Sequence, residues 1–227
     1  MNFLILDVGT SSMRGILFRA NGEMLHTVQK TYQVITLDDG WVEQNPLDFK
    51  GHMFEIVKES AAWASGQGER IDAVALTSQR SSVIPVDEHG NHLGNAQMWQ
   101  DKRTVPMCKA MEEHHREIFE LCGSRVNPVF SGAKMKWMRQ NQPDLYEKAY
   151  KLTVIPDYLV YHMTGEFATD WTYGSRSLLM NLKTCQWDDR LLELFEVDIA
   201  VTEGAPPEGV SYQSVLLDTD YLCLIVS

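Results

Sequence analysis

Asp7, Gly9, Thr10, Ser11, Ser12 and Arg14 fall within eight residues of one another, between two short apolar runs. Their types suit one task, which is holding a phosphate group and its metal ion. A carboxylate such as Asp7 binds Mg2+ directly or through water. The hydroxyls of Thr10, Ser11 and Ser12 can donate to phosphate oxygens, Arg14 adds a fixed positive charge, and turn N–H groups can face an anion. Gly9 permits either a close backbone approach or a positive φ. An ordinary hairpin would use the same Asp, Gly, Thr and Ser as turn formers. No Walker-type Gly-rich loop with Lys is present.

A second group of polar residues lies further along the chain. Gln79-Arg80 follows the apolar run 73–77. At a strand end an amide and a guanidinium suit a polyol, and they suit a surface capping pair as well. Trp99 offers a flat apolar wall for the carbon face of a polyol, or a core indole. Asp101 and Arg103 are explained equally by polar edges to that wall and by a local ion pair. Trp41 is expected to pack and Glu43 to cap or to form a salt bridge. Asp157, ahead of Tyr158-Leu159-Val160, is expected to be a helix N-cap, and Asp170 a structural residue at an element boundary. His114-His115 do not read as a metal pair, because adjacent helical positions point apart.

These residues need elements to position them. The runs 3–6 and 16–18 read as strands joined by the hydroxyl-rich turn, and 24–34 as a third strand after an Asn21-Gly22 hairpin turn. Asn45-Pro46 opens a helix whose apolar positions are Leu47, Phe49, Met53, Phe54, Ile56 and Val57, ending near Gly66 and Gly68. Residues 71–77 form a strand, 82–86 its antiparallel partner or continuation, and 87–90 a turn. Helical patterns follow at 103–122, 134–139 and 145–149, then a strand at 152–155 and a helix at 158–163. Strands with interspersed helices give an α/β class.

At 227 residues the chain buries a substantial core as one large domain or one domain with an insertion. A formal charge of −11 argues against a nucleic-acid partner. Cys108, Cys122, Cys185 and Cys223 lack metal-like spacing, so reduced thiols and a cytoplasmic location are expected. The N-terminus lacks a basic region followed by a long apolar one, and no run is long enough to span a bilayer, so neither secretion nor a membrane partner is expected.

Six collinear blocks carry a resemblance: 7–14; Gly40-Trp41-Val42-Glu43-Gln44-Asn45-Pro46; Thr77-Ser78-Gln79-Arg80; Trp99-Gln100-Asp101-Lys102-Arg103-Thr104; 130–137; and 175–182. Over residues 3 to 198 the chain resembles the N-terminal half of the FGGY carbohydrate kinases, and most closely their glycerol kinase branch. The resemblance implies a ribonuclease H-like, actin-type ATPase fold with an inserted helical region around 90–150. It also implies transfer of a phosphoryl group from ATP, with Mg2+, to a sugar or polyol hydroxyl in carbohydrate metabolism.

On that resemblance Asp7 organises Mg2+ and ATP, while Thr10, Ser11, Ser12 and Arg14 bind the phosphates and Gln79, Arg80 and Trp99 bind the substrate. The general base of these kinases lies in a Gly-Asp-Gln or Gly-Asp-Gly segment of a second domain that also binds adenosine, and this sequence contains neither segment. The expected organisation is therefore a kinase N-terminal domain at 1–198 and a divergent tail at 199–227, without the second domain. An apolar run at 221–226 needs a sheet neighbour. Turnover by this chain alone is not expected. The alternatives are a non-catalytic remnant or a sugar-binding regulator, acting as a homodimer or with a missing C-terminal half. Two departures bear on the substrate. Ser81 stands where the glycerol kinase pattern has Glu, and Val129 where it has Tyr, which removes two polar partners for glycerol and leaves room for a longer polyol or sugar.

Overall fold

The computed structural model describes residues 1–37, 40–202, 215–216 and 223–226. In chain order the strands are β1 (Asn2–Val8), β2 (Ser12–Arg19), β3 (Met24–Thr31), β4 (Ile35–Thr36), β5 (Val42–Gln44), β6 (Ala73–Ser78) and β7 (Val83–Val86). They continue with β8 (Ala96–Gln97), β9 (Lys151–Val154), β10 (Met180–Asn181), β11 (Gln186–Trp187), β12 (Val215–Leu216) and β13 (Cys223–Val226). The helices are α1 (Pro46–Gly66), α2 (Val105–Ala110), α3 (His115–Cys122), α4 (Ser131–Asn141), α5 (Pro143–Lys148), α6 (Ile155–Thr164), α7 (Trp171–Gly174) and α8 (Asp189–Phe195). No described helix is long and apolar enough to cross a membrane.

The chain divides into two compact units, the first comprising Met1–Gln33, Leu47–Gln79 and Pro207–Ser227, the second Val34–Pro46 and Arg80–Pro206. In the first, β1, β2 and β3 form the antiparallel meander read from the sequence, and Gly22 takes φ +88° in its second turn. The chain then crosses through α1 and returns as β6, parallel to β1. The sheet order is β12-β13-β6-β1-β2-β3. The meander followed by parallel strands added beside β1 is the ribonuclease H-like arrangement. The sheet neighbour required by the terminal apolar run is β6, which pairs parallel with β13. Tyr221 and Leu222 of that run, and residues 203–214 of the expected tail, lie outside the described residues.

Alternation along β1 explains how this sheet carries both a core and a site. Leu4, Leu6 and Val8 are fully buried, as are Met13, Leu17 and the α1 residues Phe49, Met53 and Ile56. Phe3, Ile5 and Asp7 point to the other face and are half-buried. Asp7 stands opposite Arg14 on β2 and Thr77 on β6, and Arg14 opposite Gln29 on β3. Directly opposed residues share a face, so one end of this face gathers Asp7, Arg14, Gln29 and Thr77.

The second unit holds a sheet of order β4-β5-β8-β7-β9, every pairing antiparallel. Its apolar core takes in Val83 and Leu152 from the sheet with Ile118, Met135, Leu178 and Phe195. Here two expectations need correction. Residues 82–86 do not pair with or continue the strand at 71–77, because β7 joins β8 and β9 in this second sheet. All four β7 residues are buried, so no alternation marks a face or a partner, and Ser81 at φ +71° turns the chain before it. The helical pattern at 103–122 is carried by α2 and α3, which are separated at Met111 by a 3-10 turn, Glu112–His114. Asp157 is not an N-cap. Val154 holds that position, Pro156 fits the first turn of α6, and Asp157 lies buried inside the helix. Asp170 does cap, its carboxylate accepting from the N–H groups of Thr172 and Tyr173 at the start of α7.

Candidate active site

Strand β1 ends at Val8, and the Gly9 N–H donates to the Ser12 carbonyl at 2.9 Å, leaving Thr10 and Ser11 at the tip of a tight turn. A Cβ on Gly9 would lie 3.1 Å from the Ser12 oxygen, and Gly9 does not take a positive φ. The glycine therefore serves a close backbone approach. Ser11 and Arg14 are exposed, Thr10 is half-buried and Ser12 is buried. The Ser12 hydroxyl accepts from Gln29 Nε2 at 3.0 Å, which fixes its position and leaves its proton to donate.

The Asp7 carboxylate forms neither a hydrogen bond nor an ion pair among the described residues. The turn is braced from behind by Tyr32, whose N–H donates to the Ser11 carbonyl at 2.9 Å. The Tyr32 hydroxyl is buried without a hydrogen-bond partner among the described residues. Its pKa is pushed far above the phenol range, first by burial and then by the charges of Asp7 and Asp48.

Consecutive residues Gln79 and Arg80 belong to different units. Gln79 extends the β6 ladder, its N–H donating to the Val8 carbonyl at 2.8 Å. Its side-chain Nε2 donates to the Gly9 carbonyl at 3.1 Å, so the amide is tied to the hydroxyl-rich turn. Its Oε1 is buried and has no partner among the described residues. Arg80, in the second unit, is exposed, with its guanidinium carbon 5.8 Å from the centroid of the Tyr173 ring. It lines a cavity of about 430 Å3 with Thr172, Ser175 and Arg176.

Trp99 is 37% exposed, which excludes the core role and leaves an accessible indole. The Trp99 backbone N–H donates to Ser82 Oγ at 3.0 Å. It does not line the Arg80 cavity. Asp101 and Arg103 form the local ion pair, with Arg103 Nε and Nη2 each donating to the Asp101 carboxylate at 2.9 Å. Arg103 also reaches Glu43 at 2.6 Å and lies over the Trp41 and Trp137 rings. This buried cluster is architectural, and Trp41 and Glu43 act in it as packing and salt-bridge residues.

Lys134 is a residue the sequence reading gave no role. It is fully buried in α4, and its Nζ donates to the carbonyls of Pro128 and Val129 at 2.8 and 2.9 Å. Burial pushes its pKa down to about 7, against the raising influence of Asp101. It holds the loop that carries Val129.

The sequence matches the FGGY family of carbohydrate kinases, N-terminal domain, over residues 2–202. The chain belongs to the FGGY family. It is 36% identical over 210 residues to the glycerol kinase of Thermococcus onnurineus, a match covering 90% of this chain and 42% of that protein. The xylulose kinase structure from Rhodospirillum rubrum superposes with a TM-score of 0.90 at 17% identity, covering 100% of this chain and 49% of that one. The structure of Plasmodium falciparum glycerol kinase with ADP gives a TM-score of 0.87 at 22% identity, covering 99% and 48%. The chain thus spans less than half the length of the relatives it matches, and the structural likeness establishes the FGGY N-terminal fold. Within it, Ser81 is buried in the left-handed region, its hydroxyl donating to the Arg176 carbonyl at 3.4 Å.

Proposed function

We propose that this chain supplies the phosphate-binding and sugar-binding half of an ATP-dependent kinase that phosphorylates a hydroxyl of a sugar or polyol. The observation that carries the reading is the Asp7 carboxylate, half-buried at a strand end and without a hydrogen bond or ion pair among the described residues, beside a turn of three hydroxyl residues and an exposed Arg14. A carboxylate with unused lone pairs suits a hydrated divalent cation, so these residues fit Mg-ATP. Asp7 would hold Mg2+, while Thr10, Ser11, Ser12 and Arg14 would receive the phosphates. When bound, Mg-ATP supplies the transferable phosphoryl group.

The chain's own residues have separate tasks. The Gly9 approach fixes the turn, Gln29 holds the Ser12 hydroxyl, and the Gln79 amide ties the turn to the end of β6. Arg80 donates to substrate hydroxyls, and Trp99 presents an indole face to the carbon chain. The proton of the reacting hydroxyl goes to a carboxylate outside these 227 residues, because no Gly-Asp-Gln or Gly-Asp-Gly segment occurs in them. Ser81 and Val129 leave room for a substrate longer than glycerol.

Calorimetric titration with a non-hydrolysable Mg-ATP analogue and with xylitol tests the division of labour. Asp7→Asn should weaken nucleotide binding by tenfold or more and leave xylitol within about twofold. Arg80→Ala should do the reverse, and four- and five-carbon polyols should bind better than glycerol. Equal losses of both ligands in both variants would overturn the assignment.

A further inference from the structure

The Arg80 cavity contains a second guanidinium. Arg176 lines it with Arg80, and Thr172, Ser175 and Asn181 add hydrogen-bonding groups to a wall that also has apolar side chains. Its volume of about 430 Å3 lies in the range of small-molecule sites. The lack of a carboxylate partner among the described residues sets these two arginines apart from most others in the chain. Arg19, Arg70, Arg103, Arg116, Arg139 and Arg190 each pair with a carboxylate. Among the described residues, Arg80 and Arg176 pair with none. Each lies over an aromatic ring instead, Arg80 at 5.8 Å from the Tyr173 centroid and Arg176 at 4.5 Å from that of Phe130.

A guanidinium stacked on a ring is oriented by its face and keeps its N–H edge for a partner. Ser81 ties the two segments together through its hydrogen bond to the Arg176 carbonyl. Ser81 is also the position where the glycerol kinase pattern has Glu, so no carboxylate at that position competes for Arg80. A chain of net charge −11 thus leaves two cations unneutralised on the wall of one cavity.

We infer that this cavity binds an anionic polyol, a hydroxylated carbon chain ending in a carboxylate or a phosphate. Arg176 and Arg80 grip the terminal oxyanion through their planar donor edges, and the hydroxyl oxygens of Thr172 and Ser175, whose protons go to Asp170 and to the Thr172 carbonyl, accept from the ligand's hydroxyls. The assignment rests on the reading of Arg80 as a polyol-binding residue and narrows the class of polyol that Arg80 takes in this cavity, which Gln79 and Trp99 do not line.

Calorimetric titration of the 227-residue chain with sorbitol, gluconate and sorbitol 6-phosphate, at constant ionic strength and with inorganic phosphate as a control, tests it. One of the two anions should bind at least tenfold more tightly than sorbitol, and its identity separates carboxylate from phosphate. Arg176→Ala should reduce the affinity for that anion at least tenfold more than the affinity for sorbitol, so that the preference disappears, while Arg176→Lys should retain part of it. Arg176 is exposed, and circular dichroism of each variant verifies its fold. Equal affinity for all three polyols, with sorbitol binding lost in Arg80→Ala, would overturn the anionic assignment and leave the polyol reading standing. No binding of any polyol, or inorganic phosphate alone matching the polyol anions, would overturn both.

Discussion

Lys134 spends its ammonium on two loop carbonyls rather than on a carboxylate, and that choice makes stability depend on pH. Its folded-state pKa of about 7 lies below the ordinary lysine value of 10.5. Below pH 7 the folded and unfolded chains both hold the proton, so the group adds no slope and the cost of burying charge is fully present. Between 7 and 10.5 the unfolded chain binds more protons, and stability rises with pH by up to about 1.4 kcal/mol per unit. Urea unfolding at pH 7, 8 and 9 should therefore show the wild type gaining on Lys134→Met as pH rises. A constant difference between the two proteins would show that the buried ammonium stays charged. This residue was not legible in the sequence, because a lysine in a polar helix reads as solvated until the packing around it is known. The grouping of Asp7, Thr10, Ser11, Ser12 and Arg14 was legible because all five lie within eight residues of sequence at one strand–turn–strand junction. The role of Gln79 was only half legible, since its hydrogen bond to Gly9 spans 70 residues of sequence.

Packing between elements has its tightest described point in the first unit where α1 crosses β2. A Cβ built on Gly15 would lie 2.2 Å from Ile56 Cγ2 and 3.4 Å from Leu4 Cδ1, both in fully buried side chains. Gly15→Ala should therefore destabilise the chain by about 1–3 kcal/mol through overpacking. In an Ile56→Ala background the added methyl meets the space vacated by the isoleucine, and the penalty should shrink or change sign. Denaturant unfolding of the four proteins in a double-mutant cycle measures that coupling, and additive effects would place the clash elsewhere. Elements built from local signals were read correctly. The meander follows from strand periodicity and the Asn21-Gly22 turn, and α1 from Pro46 and its apolar spacing. The sheet membership of β7 was not readable, because four buried residues in succession carry no facial pattern. Asp157 misled for a related reason, since the apolar residues before it look like a strand end while Pro156 is well placed in a first helical turn.

At the scale of the molecule, the second unit is assembled from Val34–Pro46 and Arg80–Pro206, two segments separated by α1 and β6 of the first unit. No composition shift marks that division, because strand pairs such as β5 with β8 join residues more than fifty positions apart. Family resemblance supplied the ribonuclease H-like fold where periodicity supplied only its α/β class. The same scale decides what the chain does alone. Its described residues include a hydroxyl-rich turn beside a carboxylate without a hydrogen bond or ion pair, and a cavity with two arginines that pair with no carboxylate, but the 227 residues contain no Gly-Asp-Gln or Gly-Asp-Gly segment. On the proposed reading the base lies in such a segment, and general-base catalysis contributes about 10²–10⁴-fold, so binding and turnover are expected to separate in this chain. Incubation of this chain with Mg-ATP and a polyol should give ADP formation no faster than the Asp7→Asn variant, even where calorimetry detects both ligands. Sustained ADP release that depends on Asp7 would mean that a carboxylate among these 227 residues serves as the base. Asp101 is an implausible substitute in that event, because Arg103 and the Val42 N–H already occupy its oxygens.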